Sequence, residues 1–253
     1  VKSWCNMELA NKVAIVTGGA NGLGKAIVEM LLSNNTIVCV LDISKEALES
    51  LVKNKNLFKI PCDITKENQI SNTIQEIKKQ FSKIDILVNN AGILYSEPLI
   101  NIMSKEKRHS VLMWQKVIDI NLTAPFVLGS YVVEQMIMTR TKGVIINISS
   151  ISARGNAGQS AYSAAKAGLE SMTAVWAKEL GSFGIRCIAV APGFMNTEST
   201  NCAVTQEILD HVRKETPIKR LGKAKDIAEA VKFVIQSDYM NGKTLQIDGG
   251  LVF

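Results

Sequence analysis

Residues 13–16 form a short apolar run that leads into Thr17-Gly18-Gly19-Ala20-Asn21-Gly22-Leu23-Gly24, after which a helical apolar pattern continues to about Leu32. A glycine-rich turn between a strand and a helix constrains the fold more than any other feature of this chain. The same alternation then repeats. Apolar runs at 37–41, 58–62, 84–88, 144–148, 186–190 and 244–247 read as strands. Helical patterns lie between them. Ser44 is placed to cap one, running through Leu51, and Thr65 to cap the next, in which Ile70, Ile74, Ile77 and Phe81 share a face. A helix is expected around 114–140, bent or interrupted near Pro125. Others are expected over 161–180, near 206–214, and where Ile227, Ala230, Val231, Val234 and Ile235 recur. Repeated strand–helix units require right-handed crossovers and parallel strands. The expected fold is therefore α/β: a single-domain, doubly wound parallel sheet, Rossmann-like, with helices on both faces and ligands beyond the carboxyl ends of the strands.

The 253 residues, 47% hydrophobic and 21% charged, suit one well-buried domain. Residues 1–10 read as an N-terminal extension, with Met7 as a natural start, and 11–253 as the domain. Residues 1–8 lack the apolar region of a signal peptide, and no apolar stretch looks long enough to cross a bilayer. Cys5, Cys39, Cys62, Cys187 and Cys202 are odd in number, scattered and without a CxxC, and there are two histidines. That pattern predicts no metal site, no disulfide framework and a reducing, cytoplasmic setting. The net charge of +6 is spread over dispersed lysines, which reads as a solvated surface. With no basic stripe or aromatic platform, nucleic acid is not an expected partner.

The glycine turn suits a dinucleotide pyrophosphate. Gly18, Gly22 and Gly24 let the phosphates approach the backbone, and the helix N-terminus offers N–H groups and a positive dipole end. Asp42 ends the second strand about 20 residues on, where a carboxylate can accept from the adenosine ribose hydroxyls and repel a 2′-phosphate. No Arg or Lys stands in the turn before Gly24, so NAD is the expected cofactor.

Tyr162 and Lys166 are four residues apart, on one face of a helix. An ammonium beside a phenol favours the phenolate, so this spacing predicts a lowered Tyr162 pKa and a proton acceptor for an alcohol. Ser149 and Ser150 end the preceding strand, where a hydroxyl can hold a substrate oxygen. Asn121, in the helix after the fourth strand, can hold a water on a proton path from the lysine, or can simply bend its helix.

Taken in order, these residues resemble the short-chain dehydrogenase/reductase family over about 11–250. The motifs are the Thr17–Gly24 turn, Asp63, Asn89-Asn90-Ala91-Gly92, Asn121, Ser149-Ser150, Tyr162 with Lys166, and Pro192-Gly193 with Thr197. The resemblance implies an oxidoreductase that interconverts a secondary alcohol and a ketone, with Asn121, Ser150, Tyr162 and Lys166 as its catalytic set. It also implies a cofactor held by Gly18, Asn21, Gly22, Leu23, Gly24 and Asp42. Asp63 and Ile64 would meet adenine, Asn90, Ala91 and Gly92 the ribose and central sheet, Tyr162 and Lys166 the nicotinamide ribose. Pro192, Gly193 and Thr197 would meet the nicotinamide end.

Two departures from the family pattern stand out. Ser149 satisfies the usual spacing to the tyrosine, whereas aligning the strand favours Ser150 and a loop one residue shorter, because a slip within a strand would turn every side chain over. The stretch 95–112 is longer than typical. Residues 155–159 are similar to 3-oxoacyl-thioester reductases, which implies a small-molecule alcohol or ketone, including a CoA or acyl-carrier-protein thioester. Three alternatives stay open: an NADPH-dependent 3-oxoacyl-(acyl-carrier-protein) reductase, an NAD-linked polyol or alicyclic alcohol dehydrogenase, and a non-catalytic NAD-binding regulator. Residues 94–113 and 194–223 are expected to set specificity. Relatives imply a homotetramer built through the long central helices and the C-terminal strand region.

Overall fold

The computed structural model describes residues 7–103, 105–197 and 205–251. Cys5, Cys202, most of the expected extension and part of the 194–223 segment lie outside the described residues. Seven strands form one parallel sheet: β1 Val13–Thr17, β2 Ile37–Asp42, β3 Leu57–Pro61, β4 Ile86–Asn89, β5 Val144–Ile148, β6 Arg186–Pro192 and β7 Thr244–Ile247. Their order is β3-β2-β1-β4-β5-β6-β7. The chain reverses direction across the sheet between β1 and β4, which opens a crevice there at the carboxyl ends.

Helices cover both faces: α1 Gly22–Ser33, α2 Lys45–Ser50, α3 Glu67–Phe81, α4 Val111–Ile118, α5 Ala124–Met138, α6 Ser160–Leu180, α7 Gln206–Glu215 and α8 Ala224–Gln236. Strand alternation divides the core in two. Ala14, Val16, Val38, Val40, Val144, Ile146, Ile188 and Val190 pack toward α1 and α8. Val13, Ile15, Cys39, Leu41, Ile145 and Cys187 pack toward α3, α5 and α6. The inner strands are covered on both faces, so they read as continuous apolar runs, while the edge strands β3 and β7 are only partly buried. One polar ladder crosses the second layer: Asn89 Nδ2 donates to Asn147 Oδ1 at 2.8 Å, and Asn147 Nδ2 to Thr173 Oγ1 at 2.8 Å.

Several local expectations are corrected. Thr65 does not cap α3: Lys66 holds the cap position without a side-chain bond, and Thr65 is taken up by Asp63. Pro125 does sit beside an irregularity, as expected, though the helix runs on through it. One wide π-helical turn, Asp119–Thr123, joins α4 to α5, and Pro125 sits in the first turn after it, where a missing N–H is tolerated. The continuous helix Val111–Met138 is, by length and composition, long and apolar enough to cross a bilayer, contrary to the sequence expectation. Here Leu128, Val132 and Met136 are buried against the sheet as part of the core. Leu9 is buried in the core, and its carbonyl accepts from Thr36 Oγ1 at 2.9 Å, so the packed structure begins before residue 11.

Candidate active site

A cavity of about 830 Å³ opens at the crevice between β1 and β4. Gly18 adopts φ +60° and donates its N–H to Leu41 O at 2.8 Å. A Cβ there would stand 2.9 Å from Ala91 Cα, so only glycine fits this approach. Gly22, at φ +53°, has open space where a Cβ would be. Asn21 caps α1 in an extended conformation and makes no side-chain cap bond, so the helix N-terminus meets the cavity at Asn21, Gly22 and Leu23. Gly24 is the one expected cofactor residue that does not line the cavity. It packs behind the turn, where a Cβ would overlap Gly18 O and Asn90 Nδ2.

Asn90 fastens the turn from the other strand: its Nδ2 donates to Thr17 O at 2.9 Å and Gly18 O at 3.0 Å. Asp42 closes the far end of this half. Its Oδ2 accepts from Ala20 N at 3.2 Å and its Oδ1 from Ser44 N at 3.1 Å. Asp63 accepts from Thr65 N and Oγ1 through one oxygen, and Ile64 lines the cavity beside it.

In the other half, Tyr162 and Lys166 lie on α6, with Lys166 Nζ 5.6 Å from the Tyr162 ring centroid. Lys166 is buried and donates to Ile148 O at 2.7 Å. Ser150 follows β5 and lines the cavity with Tyr162, on whose phenol it acts to lower the pKa; its Oγ accepts from Ser152 N at 3.1 Å. Ser149 is turned the other way, donating to Glu170 Oε1 at 2.8 Å. Adjacent residues at a strand end face opposite ways, and both serines border the cavity while only Ser149 is committed to Glu170. Asn121 occupies the π-helical turn, fully buried, its Nδ2 donating to Ile93 O and Val117 O at 3.0 Å each. Its Oδ1 has no protein partner and stands 2.5 Å from where a Cβ on Gly92 would be. Pro192, Gly193 and Thr197 line the wall after β6.

Burial moves both titrating groups toward their neutral forms. The Lys166 ammonium is pushed down to about 8 by loss of solvation. The Tyr162 phenol is pushed up by the same cause, which outweighs the opposing Ser150 hydrogen bond. The lowered Tyr162 pKa expected from helical spacing is therefore not reached by these residues alone. Among the causes acting on Tyr162, loss of solvation is the largest.

The cavity also collects residues from the two stretches expected to set specificity and from the 155–159 loop, none of which the sequence assigned an individual role. Leu94 and Ser96 come from the long stretch after β4, Gln159 from the loop before α6, Phe194 and Met195 from the segment after β6, and Ile208 and Val212 from α7. The apolar spacing of α7 and the position of Gln159 three residues before Tyr162 were the available signals.

A Gly-lined approach at Gly18, an uncapped helix N-terminus, a carboxylate at the far end of β2 and an unpartnered Asn121 oxygen fit a nicotinamide dinucleotide. A family model described as enoyl-(acyl carrier protein) reductase matches residues 18–252. The chain belongs to the short-chain dehydrogenase/reductase family and is an oxidoreductase acting on CH–OH donors. Among its relatives, a 3-oxoacyl-(acyl-carrier-protein) reductase of Thermotoga maritima is 37% identical, covering 97% of this chain and 100% of the relative. Sorbitol-6-phosphate 2-dehydrogenase of Klebsiella pneumoniae is 34% identical over 99% and 98%. Among solved structures, the aldohexose dehydrogenase of Thermoplasma acidophilum superposes with a TM-score of 0.85 at 29% identity, over 97% of this chain and 96% of that one.

Proposed function

We propose that the protein interconverts a secondary alcohol and a ketone with NAD(H), using Tyr162 as acid/base. The observation that carries this is the convergence of Ser150, Tyr162, Lys166 and Asn121 on one wall of the cavity. Ser150 Oγ holds the substrate oxygen, and Tyr162 Oη takes the alcohol proton or returns it to the ketone. Lys166 supplies the positive charge that favours the phenolate, and Asn121 Oδ1 accepts a hydrogen bond on the proton path beyond it. When bound, the nicotinamide accepts or donates the hydride. Asn21, Gly22 and Leu23 would receive the pyrophosphate, Asp63 and Ile64 the adenine, and Thr197 the carboxamide. Ser149 has no such place, being committed to Glu170.

NAD is favoured over NADP because the Asp42 carboxylate would repel a 2′-phosphate, and no Lys or Arg lies in the turn to offset it. The substrate class best supported is a 3-oxoacyl or 3-hydroxyacyl thioester. Relatives bear the name of 3-oxoacyl-carrier-protein reductases, and Leu94, Ile151, Phe194 and Val212 give this end an apolar lining. Those names also favour the second reading, an NADPH-dependent 3-oxoacyl carrier-protein reductase. The complete catalytic set argues against a non-catalytic regulator. The reading further includes a cytoplasmic homotetramer, with the domain expected over 11–253 extended to take in Leu9 and acting as one unit. The free, buried Cys39, Cys62 and Cys187 suit a reducing setting, and the exposed Phe126 and Val175 leave an apolar face on the central helices.

The test is a titration of NADH and NADPH against wild type and Asp42→Ala, followed by fluorescence. Tighter NADH binding that Asp42→Ala erases supports the reading. Tighter NADPH binding transfers it to the second, and binding of neither overturns it.

A further inference from the structure

Gln159 stands just before the first turn of α6, three residues from Tyr162, and lines the cavity. It is only 8% exposed. Its Nε2 donates to Ser96 Oγ at 3.2 Å, while its Oε1 is buried without a partner. A buried carbonyl oxygen without a donor is expensive and rare in folded proteins. The segments around it are tied together. Ser96 holds the amide, and the next residue, Glu97, donates its N–H to Gly158 O at 2.7 Å. The Glu97 carboxylate in turn accepts from Tyr95 Oη at 2.8 Å and Ser110 N at 2.7 Å. The long stretch after β4 is thereby clasped to the loop that carries Gln159.

We infer that Gln159 is a substrate-recognition residue whose Oε1 accepts a hydrogen bond from an N–H or O–H group that the substrate carries a few bonds from its reacting carbon. Gln159 precedes Tyr162 by three residues and lines the same cavity, so the donor belongs to the same bound substrate that Tyr162 serves. An amide N–H on the arm of an acyl thioester and a second hydroxyl of a polyol present the same chemistry. Ser96 is a positioning residue for this contact. The inference rests on the proposed alcohol–ketone chemistry.

The experiment compares substrates with and without the donor. One pair is the N-acetylcysteamine thioester of 3-oxobutanoate against ethyl 3-oxobutanoate, in reduction. The other is cis-1,2-cyclohexanediol against cyclohexanol, in oxidation. In the pair that matches the natural source, Gln159→Leu lowers kcat/KM for the donor-bearing compound about tenfold, chiefly through KM, and for its partner by less than about threefold. Gln159→Glu, which keeps an acceptor, restores part of the loss. Ser96→Ala lowers the same ratio in the same direction. NADH fluorescence titration confirms that each variant keeps its cofactor site. Equal losses within both pairs, or no loss in either, with NADH binding intact, overturn the role of Gln159 alone. Turnover of none of the four by wild type overturns the alcohol–ketone reading, and this inference with it.

Discussion

Lys166 Nζ donates to the carbonyl of Ile148 at 2.7 Å while lying 5.6 Å from the Tyr162 ring centroid. The cation that serves the tyrosine is thus held by the end of β5 and carries a stability penalty of its own. Its pKa is pushed down to about 8 from an ordinary 10.5. Below pH 8 the folded protein holds a charge that burial disfavours. Between pH 8 and 10.5 the unfolded chain keeps a proton the folded one has released, so stability rises with pH across that window. Tyr162, pushed up, works in the opposite sense above about pH 10. Lys166→Met is expected to be more stable than wild type at pH 7, on the order of 3 kcal/mol, with the difference shrinking as pH approaches 10. Urea denaturation of the cofactor-free protein at both pH values measures it. A difference that does not change with pH would show that burial of the charge is not the cause.

The two serines provide an internal comparison. Ser150→Ala removes the hydroxyl that shares the cavity with Tyr162 and is expected to lower kcat by about 100-fold or more, leaving NADH binding near wild type. Ser149→Ala instead strips Glu170 of a buried partner. It is expected to cost about 1 kcal/mol of stability and to leave kcat within about threefold of wild type. Steady-state kinetics and thermal melts on both variants suffice, and reversed effects would exchange the roles of the two residues.

Much of this was legible in the sequence because the physics was local or periodic. The inner strands are buried on both faces, so each shows as an apolar run. The glycine turn and Asp42 are fixed by backbone geometry at strand ends. Ser150 was preferred because a register slip would have turned β5 over, and only Ser149 is committed to Glu170. What was not legible depends on contacts between distant segments. The clasp of Glu97 to Gly158, Tyr95 and Ser110 joins residues with no common pattern. The rise in the Tyr162 pKa depends on how much of the chain covers it, which helical spacing does not encode. Pro125 gave a true signal of irregular helix, but the π-helical turn absorbs it upstream and uses it to bury Asn121.

The glycines of the turn should separate into two kinds. At Gly24 a Cβ would overlap Gly18 O and the Asn90 amide that fastens the turn. Gly24→Ala is therefore expected to lose about 3 kcal/mol and to weaken NADH binding by at least about tenfold. At Gly22 the space is open, and only the positive φ penalises a side chain, so Gly22→Ala should lose about 1 kcal/mol. Denaturant melts of the two variants rank them, and a larger loss at Gly22 would contradict the packing described.

Far from the cavity, Asp85 offers a stability prediction that activity should not follow. Its side chain is 2% exposed, accepts from Val13 N at 2.9 Å, and pairs with Lys12 Nζ at 3.3 Å and Lys83 Nζ at 3.1 Å. It ties the entry of β1 to that of β4, the two strands flanking the crevice. Removing it leaves a buried N–H without its acceptor and two lysines without a counter-charge. Asp85→Ala is expected to cost about 2 kcal/mol, chiefly because the buried Val13 N–H loses its acceptor while the two lysines can turn to solvent. Lys83→Ala, which removes one half-exposed partner, should cost less than about 1 kcal/mol. Both variants should keep the wild-type kcat per folded molecule, since neither residue reaches the cavity wall. Melts and active-site titration together decide it, and a fall in kcat at 25 °C with the fold intact would mean that the β1–β4 entry is coupled to the site at its far end.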